Sequence, residues 1–273
     1  MKNNGLKAMN LTKLELWDSL LQDKDGARVA EFREMIVEKA YSIILQPGDV
    51  AVDLGAHRAR HTVPMAAAVG AEGRVFAVEA ATKMQKKLRA AVNRADVAHV
   101  RKIVSFVDFA ISDRDGTSDF YYFPTKGSGR SSLLKPDSIP DEWDMEIETV
   151  DLRRLDDILT DADKVSYIKA DIQGGEFHAM CGAKRVIQNG RPTIALENGA
   201  QHAADRFGYT KEDFFGLWDE LDYTLVTVFG RPYDASTWNY QDAHDIFAIP
   251  NERLAENYEA IGLAIVMAAG EFI

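Results

Sequence analysis

The sequence contains one cysteine, Cys181, and no long apolar run. A single thiol cannot form an internal disulfide, so the chain suits a reducing compartment. Every apolar stretch is shorter than the roughly 18 residues that a membrane-spanning helix needs. Residues Met1 to Asn10 also lack the apolar core of a secretion signal. We therefore expect a cytoplasmic protein with no membrane span.

Basic residues are scarce relative to acidic ones. The chain has 32 Lys and Arg against 43 Asp and Glu, a net charge of -11, and its basic residues form no long run. Because such a surface repels a phosphate backbone, we expect no nucleic-acid partner. The 46% apolar and 10% aromatic content supplies a hydrophobic core, which excludes a disordered chain.

Short apolar runs of strand type alternate along the chain with longer stretches of helical period. This alternation predicts an α/β fold: a seven-stranded, mostly parallel sheet with helices on both faces. The segments with strand composition are Val50–Leu54, Arg74–Glu79, Ile103–Asp108, Val165–Ile172, Pro192–Glu197, Tyr223–Phe229 and His244–Ile249. The helices predicted between and after them are Thr62–Val69, Thr82–Arg94, Glu176–Gln188, Lys211–Leu221 and Glu252–Ala269.

The residues that precede this pattern are predicted to form helices. The stretch from Leu11 to Leu45 has the period of two amphipathic helices, broken near Asp25-Gly26. We assign residues 1–46 to an N-terminal helical extension and residues 47–273 to the main domain.

An insertion without helical period separates the third and fourth strands. Phe120–Phe123 and Glu146–Val150 predict a β-hairpin around the Gly/Ser-rich stretch Lys126–Ser132. That stretch either closes over a bound ligand or forms an exposed hairpin tip.

Acidic residues stand at or next to the carboxyl ends of the predicted core strands. Parallel sheets bind ligands outside these ends, near the point where the strand order reverses. The residues there are Asp53, Gly55, Glu79, Asp108, Asp171 and Glu197. Each carboxylate alone could cap a helix, but so many at one edge indicate a ligand site.

The turn after the first strand limits which cofactor fits that edge. It reads Asp53-Leu-Gly-Ala-His-Arg-Ala-Arg60, and Gly55 is its only glycine. A dinucleotide site needs a glycine-rich turn, so that backbone N–H groups can approach the pyrophosphate. The side chains of His57 and Arg58 would crowd that group, which argues against an NAD-dependent enzyme.

S-adenosylmethionine (SAM) has no phosphate and needs other groups. An ionised carboxylate at the end of the second strand can accept hydrogen bonds from both ribose hydroxyls, and Glu79 holds that position. Gly55 lets the chain pass close to the amino-acid part of the cofactor. Asp53 is placed to receive the cofactor ammonium, directly or through water.

Several blocks between Gly48 and Pro250 together resemble the FkbM family of SAM-dependent methyltransferases. In chain order they are Val52–His57 with Thr62, Gly73–Glu79, Ala110–Asp113 with Gly116, Ser131–Leu133, Ile168–Glu176 with Gly182-Ala183, and Arg191-Pro192 with Glu197. Each block alone is weak evidence for the resemblance, whereas the full set in this order is specific to the family.

The resemblance implies a Rossmann-like class I methyltransferase fold. It also implies methyl transfer from SAM to a hydroxyl of a small molecule such as a sugar, glycolipid or secondary metabolite. The residues expected to bind the cofactor are Asp53, Gly55, His57, Thr62, Glu79, Asp108, Phe109 and Asp171. The residues expected in catalysis are Asp171, Gln173, Glu176 and Glu197. Asp171 would orient or deprotonate the acceptor hydroxyl, unless it only caps the following helix.

Four positions depart from the family pattern. The family usually has Asn at His57, Gly at Ala59, Pro at Ala80 and Glu at Gln173. Ala59 adds a methyl group to a tight turn, a modest steric penalty if its φ angle is negative. Arg58 or Arg60 could pair with the cofactor carboxylate. The departures keep open a second interpretation, a catalytically impaired or non-catalytic binding protein that retains the fold.

Some alternatives concern the acceptor side. Asp171 with Glu197-Asn198 offers oxygens that could hold Mg²⁺, which would lower the pKa of an acceptor hydroxyl. The resemblance does not require a metal, so we assign no metal ligands. His178 and His202 are candidate bases. An RNA methyltransferase conflicts with the net charge, and the N-terminal helices could form a homodimer contact.

Overall fold

The computed structural model describes residues 26–240 and 243–272. The strands are β1 (Val50–Leu54), β2 (Arg74–Val78), β3 (Val104–Val107), β4 (Ala110–Ile111), β5 (Gly116–Tyr122), β6 (Glu146–Arg153), β7 (Val165–Ala170), β8 (Thr193–Glu197), β9 (Tyr223–Thr227) and β10 (Asp245–Pro250). The helices are α1 (Ala27–Ile44), α2 (Thr62–Val69), α3 (Thr82–Val92), α4 (Leu155–Ile158), α5 (Glu176–Cys181), α6 (Lys184–Gly190), α7 (Ala200–Phe207), α8 (Lys211–Leu221) and α9 (Leu254–Phe272). The helix predicted from Leu11 lies outside the described residues.

The main sheet has seven strands in the order β3-β2-β1-β7-β8-β10-β9. Strand β10 runs antiparallel to β8 and β9, and the other neighbouring pairs are parallel. This confirms the predicted sheet. The strand order reverses between β1 and β7, and open sheets of this kind bind ligands in the crevice beyond that point.

The central strands are buried on both faces, as parallel strands usually are. Neighbouring residues of a strand point to opposite faces, so Ala51 and Val52 of β1 belong to separate apolar clusters. Tyr167 and Ile168 of β7 divide in the same way. Helices α1, α2 and α9 cover one face and α5, α6 and α8 the other, which confirms helices on both faces.

Helix α1 belongs to the main apolar core. It begins after Gly26, which has a φ angle of 68°, at the predicted break. Its buried residues include Phe32, Ile36 and Tyr41, and the rings of Phe32 and Phe272 lie 5.1 Å apart, where α1 meets α9. As a division into domains, the boundary at residue 46 stays a prediction.

The insertion forms a second, three-stranded sheet in the order β4-β6-β5. Strands β5 and β6 are the predicted hairpin, and β4 adds to β6 in parallel. Only two residues long, β4 is too short to show a sequence period. Phe120 and Tyr122 of β5 pack with Met84 of α3, so the insertion lies beside the carboxyl edge of the main sheet.

One predicted helix is in fact two helices. The sequence predicts a single helix over Glu176–Gln188, but the chain breaks between α5 and α6. The carbonyl oxygen of Gly182 accepts the N–H of Asp156 at 3.0 Å. The carboxylate of Asp156 accepts the N–H groups of Arg185 and Val186 at 3.0 and 2.9 Å. A segment distant in sequence therefore caps the start of α6, which local periodicity cannot reveal.

Helix α7 is absent from the sequence prediction. It follows Asn198, whose side-chain oxygen accepts the N–H of Ala200 at 3.2 Å. Within the described parts of the chain, none of the helices is both long enough and apolar enough to cross a bilayer.

Candidate active site

A long cleft, here called the first cleft, opens at the carboxyl ends of β3, β2, β1 and β7. Its cavity volume is about 150 Å³. Leu54, the last residue of β1, pairs in register with the last residues of β2 and β7. The residues that follow these strands, Gly55, Glu79 and Asp171, therefore meet at one point of the sheet edge.

The turn after β1 passes directly beside the end of β7. Gly55 has a φ angle of 83°, and a Cβ atom there would lie 1.9 Å from the carbonyl oxygen of Asp171. The N–H groups of Gly55 and Ala56 both donate to the carbonyl of Val78, at 3.0 and 2.9 Å. Only glycine fits this position, which explains the single glycine of the turn.

Backbone N–H groups hold the carboxylate of Glu79 from two sides. Its Oε2 accepts the N–H of His57 at 3.0 Å, and its Oε1 accepts that of Ala81 at 2.9 Å. Burial raises the pKa of Glu79 to about 7, although both N–H groups favour the ionised form. Each oxygen keeps further acceptor capacity for the hydroxyl groups of a ligand.

The order of the strands gives the first cleft two unlike ends. The end beyond β3 is apolar. It is lined by Met84, Phe109, Ile111, Phe120 and Leu133. These residues come from α3, from the segment after β3 and from the insertion, and together they form a site for a flat, uncharged ring.

The end beside β7 is ionic. It is lined by Glu34, Arg60, His61, Lys169 and Asp171. The Nε2 atom of His61 lies 2.7 Å from Oε2 of Glu34. Arg60 donates to both oxygens of Glu31, at 3.0 and 2.8 Å. Lys169 is buried, and its Nζ donates to Oδ2 of Asp171 at 3.1 Å.

Interactions between the oppositely charged side chains of this end keep them ionised. Burial disfavours the charge of Asp171, but Lys169 holds the pKa of its carboxyl group well below the usual range. Burial likewise opposes the charge of Lys169, but Asp171, Glu34 and Asp53 hold the pKa of the ammonium above its usual value. Burial also opposes the charge of Glu34, yet the His61 hydrogen bond and Lys169 lower its pKa overall. The ionic end thus presents both signs of charge at neutral pH.

A second cleft, with a cavity volume of about 340 Å³, meets the first at Gln173. Gln173 lines both clefts. Its Nε2 donates to Oδ1 of Asp171 at 2.9 Å and to Oε2 of Glu197 at 2.7 Å. The polar residues of the second cleft are Arg130, Ser132, Asp137, Ser138, Glu197, His202, Arg206 and His244. One amide group therefore joins a carboxylate of each cleft.

Glu197 lies in an environment that favours the protonated form of its carboxyl group. Burial, followed by the charges of Asp171 and Glu176, raises the pKa of Glu197 well above its usual value. Its Oε1 lies 3.4 Å from Nε2 of His244, and Nδ1 of His244 lies 3.3 Å from Oδ2 of Asp245. The carboxyl group of Glu197 is thus placed between an amide and an imidazole.

A family model described as the methyltransferase FkbM domain matches residues 53–226. The chain belongs to the FkbM methyltransferase family. The match runs from within β1 to within β9 and leaves α1, β10 and α9 outside.

Solved structures resemble this FkbM methyltransferase at low sequence identity. The FkbM methyltransferase from Methylobacillus flagellatus KT is 16% identical, with a TM-score of 0.47 over 76% of this chain and 49% of that chain. A SAM-dependent O-methyltransferase from Thermotoga maritima is 14% identical, with a TM-score of 0.40 over 77% and 62%. An O-methyltransferase from Bacillus cereus in complex with SAH is 10% identical, with a TM-score of 0.40 over 90% and 91%. The chain spans about half the length of the Methylobacillus protein. No curated protein matches the chain.

The residues of the first cleft fit SAM. Gly55 lines the cleft without a side chain, the apolar end suits an adenine ring, and the carboxylate of Glu79 suits a ribose diol. The ionic end carries the two signs of charge that an amino-acid group requires.

Five of the predicted cofactor residues line the first cleft. They are Gly55, His57, Glu79, Phe109 and Asp171. Asp53 and Thr62 lie behind the turn, where Thr62 donates its hydroxyl to Oδ2 of Asp53 at 2.6 Å. Asp108 is exposed and pairs with Arg89 at 2.6 Å. For Asp53, Thr62 and Asp108, a direct cofactor contact stays a prediction without geometric support.

The predicted catalytic residues divide into two groups. Asp171, Gln173 and Glu197 form one hydrogen-bonded set. Glu176 instead accepts the N–H groups of Ile172 and Gly174, at 2.8 and 2.9 Å, and burial raises its pKa to about 7. Its carboxylate therefore holds the turn that carries Gln173.

The Mg²⁺ hypothesis has no support in this geometry. The amide of Gln173 donates to both Asp171 and Glu197, the two carboxylates that a cation would have to bridge. Over the described residues, His, Cys, Asp and Glu side chains form no group of three or more suited to a metal ion.

Sequence reasoning missed several residues of the two clefts. Lys169 carried a visible signal, because a lysine inside an apolar strand needs a buried partner. Glu34 carried none, since nothing in the period of α1 marks one acidic residue as facing a cleft. His244 is not among the histidines predicted as candidate bases, yet it lines the second cleft. Ser128 of the insertion lies 2.9 Å from Nε2 of His57, so the Gly/Ser-rich stretch closes on the cofactor turn.

Three of the four departures from the family pattern fall on left-handed backbone. His57, Ala59 and Gln173 have φ angles of 49°, 66° and 60°. At His57 and Ala59 the family usually has Asn and Gly, which tolerate this conformation better than other residues do. The expectation of a modest penalty at Ala59 required a negative φ angle, and that condition is wrong. The turn is built with backbone strain of about 1 kcal/mol or more at each such residue.

Proposed function

We propose that this FkbM methyltransferase is a SAM-dependent O-methyltransferase that acts on a hydroxyl of a small molecule, such as a sugar, glycolipid or secondary metabolite. The observation that carries the proposal is the meeting of two clefts at Gln173. The first has the shape and charge for SAM, and the second is polar and of small-molecule size. A donor and an acceptor can therefore approach each other across one side chain.

The first cleft would hold the cofactor by three kinds of contact. Glu79 would accept hydrogen bonds from the ribose hydroxyls, and the apolar end around Met84 and Phe109 would enclose the adenine. The ionic end around Lys169 and Asp171 would bind the amino-acid group. Gly55 and His57 would line the site between these groups.

When bound, SAM supplies a methyl group on a sulfonium, and an acceptor oxygen displaces the thioether in line. The chain must then hold the acceptor in line, exclude water and take up one proton. The Gly/Ser-rich stretch lines both clefts, through Ser128 in the first and Arg130 in the second, and excludes water from their junction.

Glu197 is the better proton acceptor of the two carboxylates beside Gln173. Lys169 holds the pKa of Asp171 far below neutrality, which makes Asp171 a weak base. Burial raises the pKa of Glu197, so its carboxylate, when ionised, is the stronger base for the proton of the acceptor hydroxyl, and His244 lies 3.4 Å away to receive that proton next. Asp171 and Gln173 orient the hydroxyl.

Binding and transfer are tested separately. Isothermal titration should show that SAM and SAH both bind, and mass spectrometry should show methylated products from a panel of hydroxyl-bearing sugars, glycolipids and secondary metabolites. Absence of binding by both ligands at millimolar concentration rejects the cofactor assignment. Methylation confined to nitrogen or carbon acceptors rejects O-methyl transfer.

The role of Glu197 has its own test. Glu197→Gln should lower kcat by about 100-fold, in the range for loss of a general base, and leave the Kd for SAH within about twofold. Glu72→Gln removes an exposed carboxylate and is the matched control. An unchanged kcat in Glu197→Gln would remove Glu197 from the mechanism.

A second candidate function is cofactor binding without turnover. The left-handed residues His57, Ala59 and Gln173 favour it, because strain in the turn and at the junction of the clefts would misplace donor and acceptor. SAM binding without transfer to any member of the panel, together with no effect of Gln173→Leu on SAH affinity, supports this function over catalysis.

A further inference from the structure

Helix α1 brings one carboxylate into the first cleft from outside the family-matched residues. Glu34 lies in α1 (Ala27–Ile44), whereas the match begins at residue 53. It lines the ionic end of the cleft beside Lys169 and Asp171. Its side chain is 28% exposed and also borders a small neighbouring pocket beside Val37 and Glu197.

The other carboxylates near this end are either paired or buried away from the cleft. Oδ1 of Asp171 accepts the amide of Gln173 and Oδ2 accepts Lys169. Asp53 is buried behind the turn and does not line the cleft. Its Oδ2 accepts the hydroxyl of Thr62, and its buried Oδ1 has no hydrogen-bond partner among the described residues. Neither is placed to receive a new cation from the cleft.

Glu34 has one committed oxygen and one free oxygen. Its Oε2 lies 2.7 Å from Nε2 of His61 and 4.0 Å from Nε of Arg60. Its Oε1 makes no hydrogen bond within residues 26–240 and 243–272. Tyr41 lies 3.3 Å from Nδ1 of His61, so the imidazole is held from both sides and fixes the carboxylate.

We propose that Glu34 binds the α-ammonium group of the cofactor's amino-acid end, so that helix α1 completes the cofactor site. The inference rests on the proposed binding of SAM in the first cleft. The ammonium donates to Oε1 of Glu34, and the cofactor carboxylate lies toward Lys169. A charge-assisted hydrogen bond of this kind, formed away from bulk water, contributes strongly to affinity.

Ligands with and without an amino-acid end test this role. SAH has the ammonium, whereas 5′-methylthioadenosine keeps the adenine, ribose and thioether and lacks the amino-acid group. Glu34→Gln, which is isosteric, should weaken SAH binding by about tenfold or more and leave 5′-methylthioadenosine within about twofold. Isothermal titration gives both Kd values without any need for turnover.

Glu31→Gln is the matched control on the same helix. Glu31 pairs with Arg60, is 51% exposed and does not line the cleft. Its loss should change the Kd of neither ligand by more than about twofold, since an exposed pair contributes little. A loss of SAH affinity as large as that of Glu34→Gln would show that the helix, and not Glu34, is responsible, and would overturn the inference.

Two further outcomes also decide against Glu34. Equal weakening of SAH and 5′-methylthioadenosine in Glu34→Gln would show a structural role, and unchanged SAH affinity would show no role. Should Glu34→Gln fail to fold, wild-type protein is titrated with an SAH analogue that has hydrogen in place of the ammonium. Binding as tight as that of SAH then overturns the inference. Wild-type protein that binds neither SAH nor 5′-methylthioadenosine contradicts the proposed function itself, and this inference with it.

Discussion

At Gly55, a single backbone oxygen determines which residue the position can hold. Two strands end side by side, and the chain must leave β1 without striking the carbonyl of Asp171. Two features exclude any residue other than glycine: the φ angle is positive, at 83°, and an added Cβ would lie 1.9 Å from the carbonyl oxygen of Asp171. A side chain would meet both strain and a backbone atom that cannot move without shifting β7.

Gly55→Ala should therefore destabilise the protein far more than an ordinary left-handed glycine would. We expect a loss of about 3 kcal/mol or more in the free energy of unfolding, measured in urea, because strain and a backbone clash add. Gly208→Ala is the control, since Gly208 has a similar φ angle of 77° and nothing within 4 Å of its would-be Cβ. It should cost about 1 kcal/mol. Equal losses would contradict the clash.

Glu79 is a single residue whose charge state links binding to pH. Burial raises its pKa from the usual value to about 7 in the ligand-free protein. Below that pH the carboxyl group is protonated and is a poorer acceptor for two ribose hydroxyls. For folding, the sign is the reverse: a raised carboxyl pKa stabilises the folded state at low pH, and this contribution is lost as pH rises through about 7.

The affinity for SAH should consequently rise between pH 6 and pH 8. Below the pKa of Glu79 the expected increase approaches about tenfold per pH unit, and it levels off above that pKa. Isothermal titration across this range provides the profile. Glu79→Gln should bind SAH weakly with a flat profile, and a wild-type profile that is flat or falls with pH would rule out Glu79 as the titrating group.

At the scale of elements, the turn between β7 and α5 has its own internal support. Glu176 accepts two backbone N–H groups of the turn, and the same turn presents Gln173 to both clefts. Glu176 is close to this turn in space and in sequence, and by holding the turn it sets the position of Gln173 at the junction of the two clefts.

Glu176→Ala should loosen this turn. We expect a loss of about 2 kcal/mol in unfolding free energy, because the N–H groups of Ile172 and Gly174 are left without an acceptor. It should also lower kcat while the Kd for SAH changes little. Glu220→Ala, which removes an exposed partner of Lys184, is expected to cost under about 1 kcal/mol. Chemical denaturation and steady-state kinetics measure both effects, and a larger loss in Glu220→Ala would refute the assignment.

Elements whose signals are local were predicted well. The predicted helix Lys211–Leu221 is α8, and it is capped by Thr210, whose Oγ1 accepts the N–H of Asp213 at 3.1 Å, a contact within one turn. The break at Gly182 was not predicted, because the groups that cap α6 come from Asp156 in another segment. Periodicity reports which face of a helix is apolar and carries no information on a cap from elsewhere.

At the scale of the whole molecule, the N-terminal helix contributes to both core and site. Helix α1 buries Ile36 completely in the apolar cluster that includes β1 and β7, although it precedes the family-matched residues. The helix therefore couples the stability of the sheet to the position of Glu34.

Ile36→Ala should test that coupling. We expect a loss of about 2–5 kcal/mol in unfolding free energy, the range for a large-to-small change in a packed core. Ile147→Ala is the control, because Ile147 is 56% exposed and should cost about 0.5 kcal/mol or less. Urea denaturation measures both. A loss in Ile36→Ala no greater than in Ile147→Ala would mean that α1 packs independently of the sheet.

The sequence by itself determined the alternation of strands and helices, the carboxyl-edge position of Glu79, Asp171 and Glu197, and the single glycine that excludes a dinucleotide. These features follow from hydrophobic period, strand polarity and backbone conformation, which are properties of short segments. Tertiary structure decided that Glu34 from α1 faces the first cleft, that Gln173 lies between two clefts, and that Asp108 points to solvent. Which side chains meet across a fold depends on strand order and packing, and segments distant in sequence carry no mark of their eventual neighbours.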